Sequence, residues 1–240
     1  MSELTPGLYS RYNAVKNKLN KAEKEAGRKE GSVELLPVSK TFGIEAIVEG
    51  IQCGMTSFGE NYVQEGCVKI DYCRENFPNK NLIWHLIGPL QSNKTRVVAE
   101  RFDWVQTIDR VKIAQRLSDQ RPSTMPPLNV LIEVNISNQE SKSGVKVNEV
   151  RALADSILEL PNLKLRGLMC IPEPGDTIDE KLKPLTQMKT LFDKLNEEGY
   201  KLDTLSMGMS ADMDEAVQAG STMVRVGTAI FGQRDYSKQG

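Results

Sequence analysis

Hydrophobic and polar positions along this chain follow two periods that take turns. Short apolar runs with the two-residue period of a β-strand alternate with longer segments whose apolar residues recur every three or four positions, as in an amphipathic helix. The strand pattern predicts eight strands, over residues 33–40, 56–59, 82–87, 104–108, 129–135, 164–171, 204–207 and 223–231. The helical pattern predicts helices over residues 4–26, 44–53, 62–75, 95–100, 111–119, 147–160, 180–198 and 212–219.

This regular alternation predicts the fold. Strands separated by helices pair in parallel through right-handed crossovers, and eight such units in this length fit a single (β/α)8 TIM barrel with an extra N-terminal helix. We expect one domain over residues 1–240, with a leading helix in residues 1–27 that packs on the barrel and ends at Gly27. A doubly wound open sheet is the alternative, but no glycine-rich dinucleotide fingerprint follows the first strand.

Composition and charge exclude several classes of function. The formal net charge is −1, so no global basic field attracts nucleic acid or anionic lipid. The four cysteines form no CxxC pair and there is one histidine, which argues against a metal site and favours reduced thiols in a cytosolic protein. The N-terminal segment lacks the apolar stretch of a signal peptide and no window approaches a membrane span, so we expect a cytoplasmic location.

Lys40 is the most informative residue for chemistry. It ends the first apolar run and, with strand periodicity, shares a face with Leu36 and Val38 that points into the core. An ammonium group on such a face is costly unless it is paired, deprotonated or used covalently. A lysine at the carboxyl end of a buried strand is therefore a candidate Schiff-base residue. The alternative is that Lys40 edges the strand and extends its amine to solvent.

Candidate anion-binding residues follow the last two predicted strands. Ser210 precedes the helix of residues 212–219, where it can act as the N-cap or present backbone N–H groups to an anion. Arg225 lies inside the eighth strand and needs an acceptor, either a carboxylate such as Glu60 or a group on a ligand. Gly227 and Thr228, just beyond it, can offer N–H groups and a hydroxyl to a phosphate.

Together these residue types suit pyridoxal 5′-phosphate, which requires a lysine amine, a phosphate site and a partner for its ring nitrogen. If Arg225 is that partner it can only donate, so the ring nitrogen stays unprotonated and the ring is a weaker electron sink. Asn61, after the second strand, could contact the ring edge, and Glu60 could orient Lys40 or Arg225. For His85, the single histidine, a structural role is favoured over stacking on the cofactor or acid–base work.

Several segments resemble the pyridoxal phosphate homeostasis protein family, and its bacterial members most closely. Any one of these motifs would be weak evidence, but they occur in the right order from about residue 33 to the C-terminus. The segments that carry the resemblance are residues 37–41, 58–65, 84–94, 142–144, 166–169, 206–212 and 225–232.

The resemblance implies a barrel like the N-terminal domain of alanine racemase, with pyridoxal 5′-phosphate bound to Lys40 as a Schiff base. It also implies that Arg225 faces the ring nitrogen and that Asn61 lies near the ring. Three residues are implied to hold the phosphate: Ser210, Gly227 and Thr228.

The resemblance further implies a function in intracellular vitamin B6 homeostasis, by carrying or buffering the cofactor without established catalysis. Pyridoxal-phosphate-dependent apo-enzymes are the expected recipients, and no catalytic or metal-binding residue is expected. The alternative is a pyridoxal-phosphate-dependent amino-acid racemase. A third hypothesis is a cofactor-free Schiff-base enzyme of the aldolase type.

The racemase alternative requires a second acid–base group on the opposite face of the ring, which a C-terminal β-domain supplies in alanine racemases. This chain stops at Gly240, nine residues after Phe231, so we expect no such domain. Tyr62 or Tyr236 could substitute, but no pattern places either one there. Without the dimerising domain we expect a monomer. The polar segment 137–146 is interpreted as an ordinary long loop rather than a lid or docking surface.

Overall fold

The computed structural model describes residues 6–233 and contains one eight-stranded parallel sheet. The strands run in the spatial order β1-β8-β7-β6-β5-β4-β3-β2, and a bridge between Val38 and Gly59 joins β1 to β2. The sheet therefore closes into the predicted TIM barrel. The strands are β1 (Glu34–Pro37), β2 (Ser57–Glu60), β3 (Ile83–Leu86), β4 (Trp104–Ile108), β5 (Leu128–Glu133), β6 (Leu163–Met169), β7 (Thr204–Ser206) and β8 (Met223–Val226).

Helices separate the strands, as the sequence pattern predicts. They are α1 (Pro6–Glu25), α2 (Ile44–Gln52), α3 (Val63–Asn76), α4 (Thr95–Arg101), α5 (Val111–Gln120), α6 (Val150–Leu158), α7 (Ile178–Glu197), α8 (Met213–Ala219) and α9 (Thr228–Phe231). Short 3₁₀ turns, Ser92–Lys94 and Val147–Glu149, precede α4 and α6. None of the helices in residues 6–233 is long and apolar enough to cross a membrane.

Apolar residues lie in two layers because parallel strands bury both faces. The larger layer fills the space between the strands and the surrounding helices. Inside the barrel, a smaller cluster contains Leu36, Val38, Ile87 and Met223. Leu36 and Val38 thus point inward, as strand periodicity predicts, and they direct the chain that follows toward the carboxyl-end mouth of the barrel.

The leading helix packs against the last two helices of the chain. Arg11 Nε donates to the carbonyl oxygen of Ile230 at 2.7 Å, and Arg28 Nη1 donates to the carbonyl oxygens of Val217 and Ser221 at 2.9 and 2.6 Å. Gly27 follows α1 with a φ of 68°, the left-handed conformation expected after a helix. The predicted start of this helix at residue 4 lies outside the described residues.

The structure differs from the sequence prediction mainly where strands end. The first strand stops at Pro37, three residues before Lys40, and the eighth stops at Val226 rather than at Phe231. Residues Thr228–Phe231 form α9, a helical turn that begins directly after Gly227. Its apolar residues resemble a continued strand because one turn is too short to reveal a helical period.

Candidate functional site

A cavity of about 330 Å³ opens at the carboxyl ends of the strands. Its walls come from the segments that follow β1, β2, β7 and β8, together with residues after β3 and β6. The candidate residues of the sequence analysis all line it: Lys40, Asn61, Ser210, Arg225, Gly227 and Thr228. The remaining wall is largely apolar and consists of Val38, Phe42, Ile87, Ile171, Met209 and Ala211.

Lys40 lies in a tight turn between β1 and α2 rather than within the strand. Its side chain is half-buried and lines the cavity. The next residue, Thr41, has a φ of 68°, a left-handed conformation that is uncommon for a β-branched residue. The barrel wall and this turn together place the amine at the cavity instead of in bulk solvent.

Arg225 is the most buried cation of the cavity, with 4% of its surface exposed. Nη1 donates to Ser206 Oγ at 2.7 Å and Nη2 donates to the Cys170 carbonyl oxygen at 2.9 Å. The suggested ion pair with Glu60 is wrong, and within residues 6–233 no carboxylate lies within 4.0 Å of this guanidinium. Burial lowers the pKa of Arg225 from its ordinary value, with nearby Cys170, Asp212 and Glu133 opposing that shift.

A chain of hydrogen bonds inside the barrel fixes the orientation of Arg225. Ser206 Oγ accepts from the guanidinium and donates to Gln106 Oε1 at 2.7 Å. Gln106 Nε2 lies 3.0 Å from His85 Nδ1, and the His85 ring stacks on Trp104 at a centroid distance of 5.0 Å. Burial, aided by the charge of Arg166, lowers the pKa of His85 to about 3, so this ring is neutral and acts as a structural acceptor.

Ser210 lines the cavity from the turn before α8 and is exposed to solvent. It is not the N-cap that the sequence predicts, because α8 starts at Met213 and Asp212 occupies the N-cap position. Asp212 Oδ1 accepts a bond from the Met209 backbone N–H at 2.7 Å, which closes the turn around Ser210. The hydroxyl of Ser210 is therefore presented on a closed turn rather than used as a helix cap.

Gly227 and Thr228 form the start of α9 on the other side of the cavity mouth. The first N–H groups of a helix have no acceptor within the helix, so this turn presents donors toward its N-terminal side. A Cβ atom on Gly227 would lie 3.2 Å from the carbonyl oxygen of Val38, closer than most Cβ contacts. Glycine at this position thus lets the end of β8 approach β1 beside the cavity.

Asn61 follows β2 and contributes an amide group to the cavity wall. Its Oδ1 atom is buried and has no hydrogen-bond partner among residues 6–233. The backbone at Gly88 packs directly against the backbone of Asn61. A Cβ atom at Gly88 would lie 2.0 Å from the backbone carbonyl oxygen of Asn61. The segment after β3 can therefore pass this close to Asn61 only with glycine at position 88.

A second set of polar residues lies beneath the Lys40 turn, and we call Glu60, Glu65 and Lys69 the ionic cluster. Lys69 Nζ donates to Glu60 Oε1 at 2.7 Å and to Glu65 Oε1 at 2.6 Å. Burial raises the pKa of Glu60 to about 7, although Lys69 opposes that shift. Ser39 Oγ donates to Glu60 Oε1 at 2.5 Å, so Glu60 contacts the turn of Lys40 through the neighbouring residue.

Sequence reasoning missed Lys69, although a signal was present. Lys69 lies three or four residues from Gly66 and Cys73 and next to Ile70, on the face of α3 that is buried. A lysine on the apolar face of a helix, with Glu65 four residues before it, indicates a buried ion pair. In a region rich in charged residues this pattern resembles an ordinary exposed pair.

Metal ligands and reactive thiols are two further kinds of site that the described part of the chain could contain. No group of histidine, cysteine, aspartate and glutamate side chains in residues 6–233 could hold a metal ion. Cys53, Cys67, Cys73 and Cys170 are free thiols. Burial raises the pKa of Cys170 to about 12, so this thiol stays protonated.

The barrel and its cavity define a class: a parallel α/β barrel with a lysine after the first strand and a buried arginine in the last. The sequence model of the family described as "Alanine racemase, N-terminal domain" matches residues 11–235. The chain belongs to this family and, within it, to the pyridoxal phosphate homeostasis proteins.

Relatives with that name are similar along nearly the whole chain. The pyridoxal phosphate homeostasis protein of Vibrio cholerae is 57% identical over 220 residues, which is 92% of this chain and 93% of the relative. That of Escherichia coli K12 is 53% identical over 225 residues, covering 94% of this chain and 96% of the relative.

Solved structures show the same fold. PipY of Synechococcus elongatus, solved with PLP bound, has a TM-score of 0.80 at 32% identity and covers 94% of this chain and 100% of that chain. An alanine racemase of Clostridium difficile has a TM-score of 0.71 at 17% identity, with 91% of this chain matching 56% of that chain. The racemase is therefore similar in fold alone.

Proposed function

We propose that this protein binds pyridoxal 5′-phosphate as a Schiff base at Lys40 and serves intracellular homeostasis of that cofactor, by carrying or buffering it without catalysis. The observation that carries this proposal is the convergence of the candidate residues on one cavity. They come from sequence positions 40, 61, 210, 225, 227 and 228, and all of them line the same cavity. PipY, which matches 94% of this chain at 32% identity, was solved with PLP bound.

The chemistry of the cavity fits this cofactor. Pyridoxal 5′-phosphate supplies an aldehyde that condenses reversibly with a primary amine, and Lys40 provides that amine. Arg225 keeps N–H donors beyond the two that bond to Ser206 and Cys170, and a ring nitrogen is an acceptor for one of them. The buried Oδ1 atom of Asn61 is an acceptor that a ligand hydroxyl could satisfy.

The mouth of the cavity suits the phosphate group. Ser210 and Thr228 bring hydroxyl groups, and the first turn of α9 after Gly227 brings backbone N–H donors. Both sides of this mouth are exposed to solvent, so three anionic oxygens can be bound there without a large desolvation cost.

Arg225 bears on the question of catalysis. Its guanidinium cannot take a proton from the ring nitrogen or give one up, so the ring stays unprotonated and stabilises a carbanion poorly. A racemase also needs a second acid–base group. Tyr62 is 57% exposed and is not part of the cavity wall, and Tyr236 lies outside the described residues. These observations favour the non-catalytic function over the racemase alternative.

The same proposal includes the expectations about partners. Pyridoxal-phosphate-dependent apo-enzymes would be the recipients, in the cytoplasm, and the protein would act as a monomer. A cofactor bound at an open barrel mouth suits transfer to another protein.

The test is borohydride reduction after incubation with pyridoxal 5′-phosphate, followed by peptide mass mapping. We expect one pyridoxyl group concentrated on Lys40. Lys40→Ala should lose it and keep its fold, while Lys24→Ala, on the exposed side of α1, should keep both. An unmodified Lys40, or equal labelling of the Lys40→Ala variant, would show that the cofactor is held elsewhere. Racemisation of amino acids by the loaded wild type would instead favour the enzyme.

A further inference from the structure

The ionic cluster beneath the Lys40 turn is buried far more deeply than ordinary surface ion pairs. Glu60 is 0% exposed and Lys69 is 2% exposed, and Glu65 closes the cluster on the side nearer solvent. Lys69 Nζ makes a third bond, to the Ser39 carbonyl oxygen at 2.8 Å. All three N–H donors of the ammonium are thereby used, which is the arrangement a charged lysine needs in a protein interior.

The cluster binds the backbone on both sides of Lys40. On the N-terminal side it holds Ser39, through the carbonyl bond to Lys69 and the hydroxyl bond to Glu60. On the C-terminal side the Thr41 N–H donates to Glu65 Oε1 at 2.6 Å. The Ser39 N–H adds a bond to the Gly59 carbonyl oxygen at 3.0 Å. Both peptide groups that flank Lys40 are therefore fixed to α3 and β2.

The hydrogen bonds from the ionic cluster hold the Lys40 turn in an unfavourable backbone conformation. Thr41 is β-branched and left-handed, with a φ of 68°. Such a conformation is unfavourable for a β-branched residue and persists only where the surrounding structure holds it. The hydrogen bond from the Thr41 N–H to the Glu65 carboxylate stabilises this conformation. Lys69 in turn holds that carboxylate in place.

We propose that Lys69 is the positioning residue of Lys40, acting with Glu60 and Glu65 to hold the Lys40 turn so that the amine meets the aldehyde of the ligand. This proposal rests on the proposed function, because it assigns a role in the same bond. None of the three residues lines the cavity. Their effect on the ligand therefore passes mainly through the backbone of Lys40, and we expect the sites for ring and phosphate to change much less.

That separation gives a distinctive test with two ligands. Pyridoxal 5′-phosphate uses Lys40, whereas pyridoxine 5′-phosphate has the same ring and phosphate but a hydroxymethyl group that cannot condense with an amine. In Lys69→Met we expect the Kd for pyridoxal 5′-phosphate to rise at least about tenfold, since bonds to a charged group are lost. The Kd for pyridoxine 5′-phosphate should stay within about twofold of wild type.

Glu65→Ala provides a second variant in case loss of Lys69 unfolds the protein, because Glu65 is partly exposed on α3 and Ala suits a helix. It should show the same split between the two ligands, to a smaller extent. The matched control is Lys189→Met, which removes a lysine from the exposed pair with Asp193 on α7 and should change neither affinity.

A second readout needs no ligand. Amide hydrogen exchange at Thr41, followed by NMR, should accelerate at least about tenfold in both cluster variants and not in Lys189→Met. Equal losses of affinity for both ligands, or unchanged exchange at Thr41, would overturn the positioning role. If wild type forms no bond to Lys40 at all, the proposed function fails, and Thr41 exchange alone then decides whether the cluster holds the turn.

Discussion

At the scale of single residues, the carboxyl end of the barrel collects buried charges that are balanced in different ways. Lys69 is paired with two carboxylates, whereas Arg225 is bound by a hydroxyl and a carbonyl group. A guanidinium bound only by neutral acceptors keeps its attraction for a further acceptor. The distribution of counter-charges therefore separates a residue that holds the backbone from one that is available to a ligand.

Glu133 gives a prediction at this scale. It lies at the end of β5 with 7% of its surface exposed, and burial, together with the charge of Asp109, raises its pKa from 4.5 to about 7 against the opposing charge of Arg225. The folded state thus binds this proton more tightly than the unfolded chain. Its contribution to stability is fully present below the unfolded pKa and is lost as the pH rises through about 7.

Glu133→Gln should remove that dependence. Gln resembles the protonated carboxyl and does not titrate, so the free energy of unfolding should fall less between about pH 4.5 and about pH 8 than in wild type, by on the order of 3 kcal/mol. Urea unfolding at several pH values measures both profiles, and Glu60, whose pKa is raised in the same direction, contributes equally to each. Parallel profiles would contradict the assignment to Glu133.

At the scale of elements, the site depends on how closely neighbouring strand ends approach one another. Gly88 follows β3 and faces the backbone of Asn61 after β2 at a distance that leaves no room for a side chain. Thr107 Oγ1, in β4, donates to the Gly88 carbonyl oxygen at 2.8 Å and holds the segment in that place. Three successive strands thus cooperate to set the position of one amide group in the cavity.

Gly88→Ala should displace Asn61. The added Cβ atom would meet backbone rather than a flexible side chain, so we expect a loss of about 1–3 kcal/mol in stability and weaker binding of pyridoxine 5′-phosphate. Gly54→Ala is the matched control: it adds the same atom after α2 in open space, at a left-handed position. It should lower stability but leave ligand affinity unchanged. Unchanged affinity in Gly88→Ala as well would contradict the role given to this contact.

The sequence predicts these elements well where a period is long enough to read. Eight strands and their order along the chain follow from alternation, and the fold class follows from that order. Prediction fails at strand ends, where a few residues decide the structure. The sequence pattern places the apolar residues of α9 in the eighth strand, and it allows Ser210 an N-cap position that Asp212 occupies in the structure.

The residues of the candidate site are likewise only partly predictable from the sequence. Lys40 and Arg225 were found because a charge within an apolar run is conspicuous, and both line the cavity. The sequence does not reveal Lys69, because the burial of this residue depends on how α3 packs beneath the Lys40 turn. Contacts between elements distant in sequence, such as Gly88 against Asn61, leave no periodic pattern in the chain.

At the scale of the whole molecule, α1 joins the beginning of the chain to the end of the barrel. Arg11 bonds to the carbonyl oxygens of Ile230 and Phe231 in α9, and Thr228 at the start of the same turn lines the cavity. The helix that precedes the first strand therefore supports the part of the site that we assign to the phosphate group. We therefore expect the stability of α1 to affect ligand binding at residues more than 200 positions away in sequence.

Arg11→Ala should therefore have two effects. We expect the free energy of unfolding to fall by about 1–3 kcal/mol, because a charged donor to buried carbonyl groups is lost. The Kd for inorganic phosphate and for pyridoxine 5′-phosphate should also rise, as measured by calorimetry. Arg96→Ala, an exposed arginine on α4, is the control and should change neither quantity. Loss of stability with unchanged affinity would separate α1 from the site.

The two ends of the cavity differ in their exposure to solvent. Arg225 lies at its closed inner end, while Ser210 and Thr228 stand at the rim in contact with solvent. A ligand held at both ends must arrive with its heterocycle leading and its anionic tail trailing, and it must depart tail first. Under the proposed function, the phosphate group at the cavity mouth is the part of the ligand that another macromolecule would contact first. A ligand released from Lys40 under that function would therefore reach an acceptor with its phosphate end first.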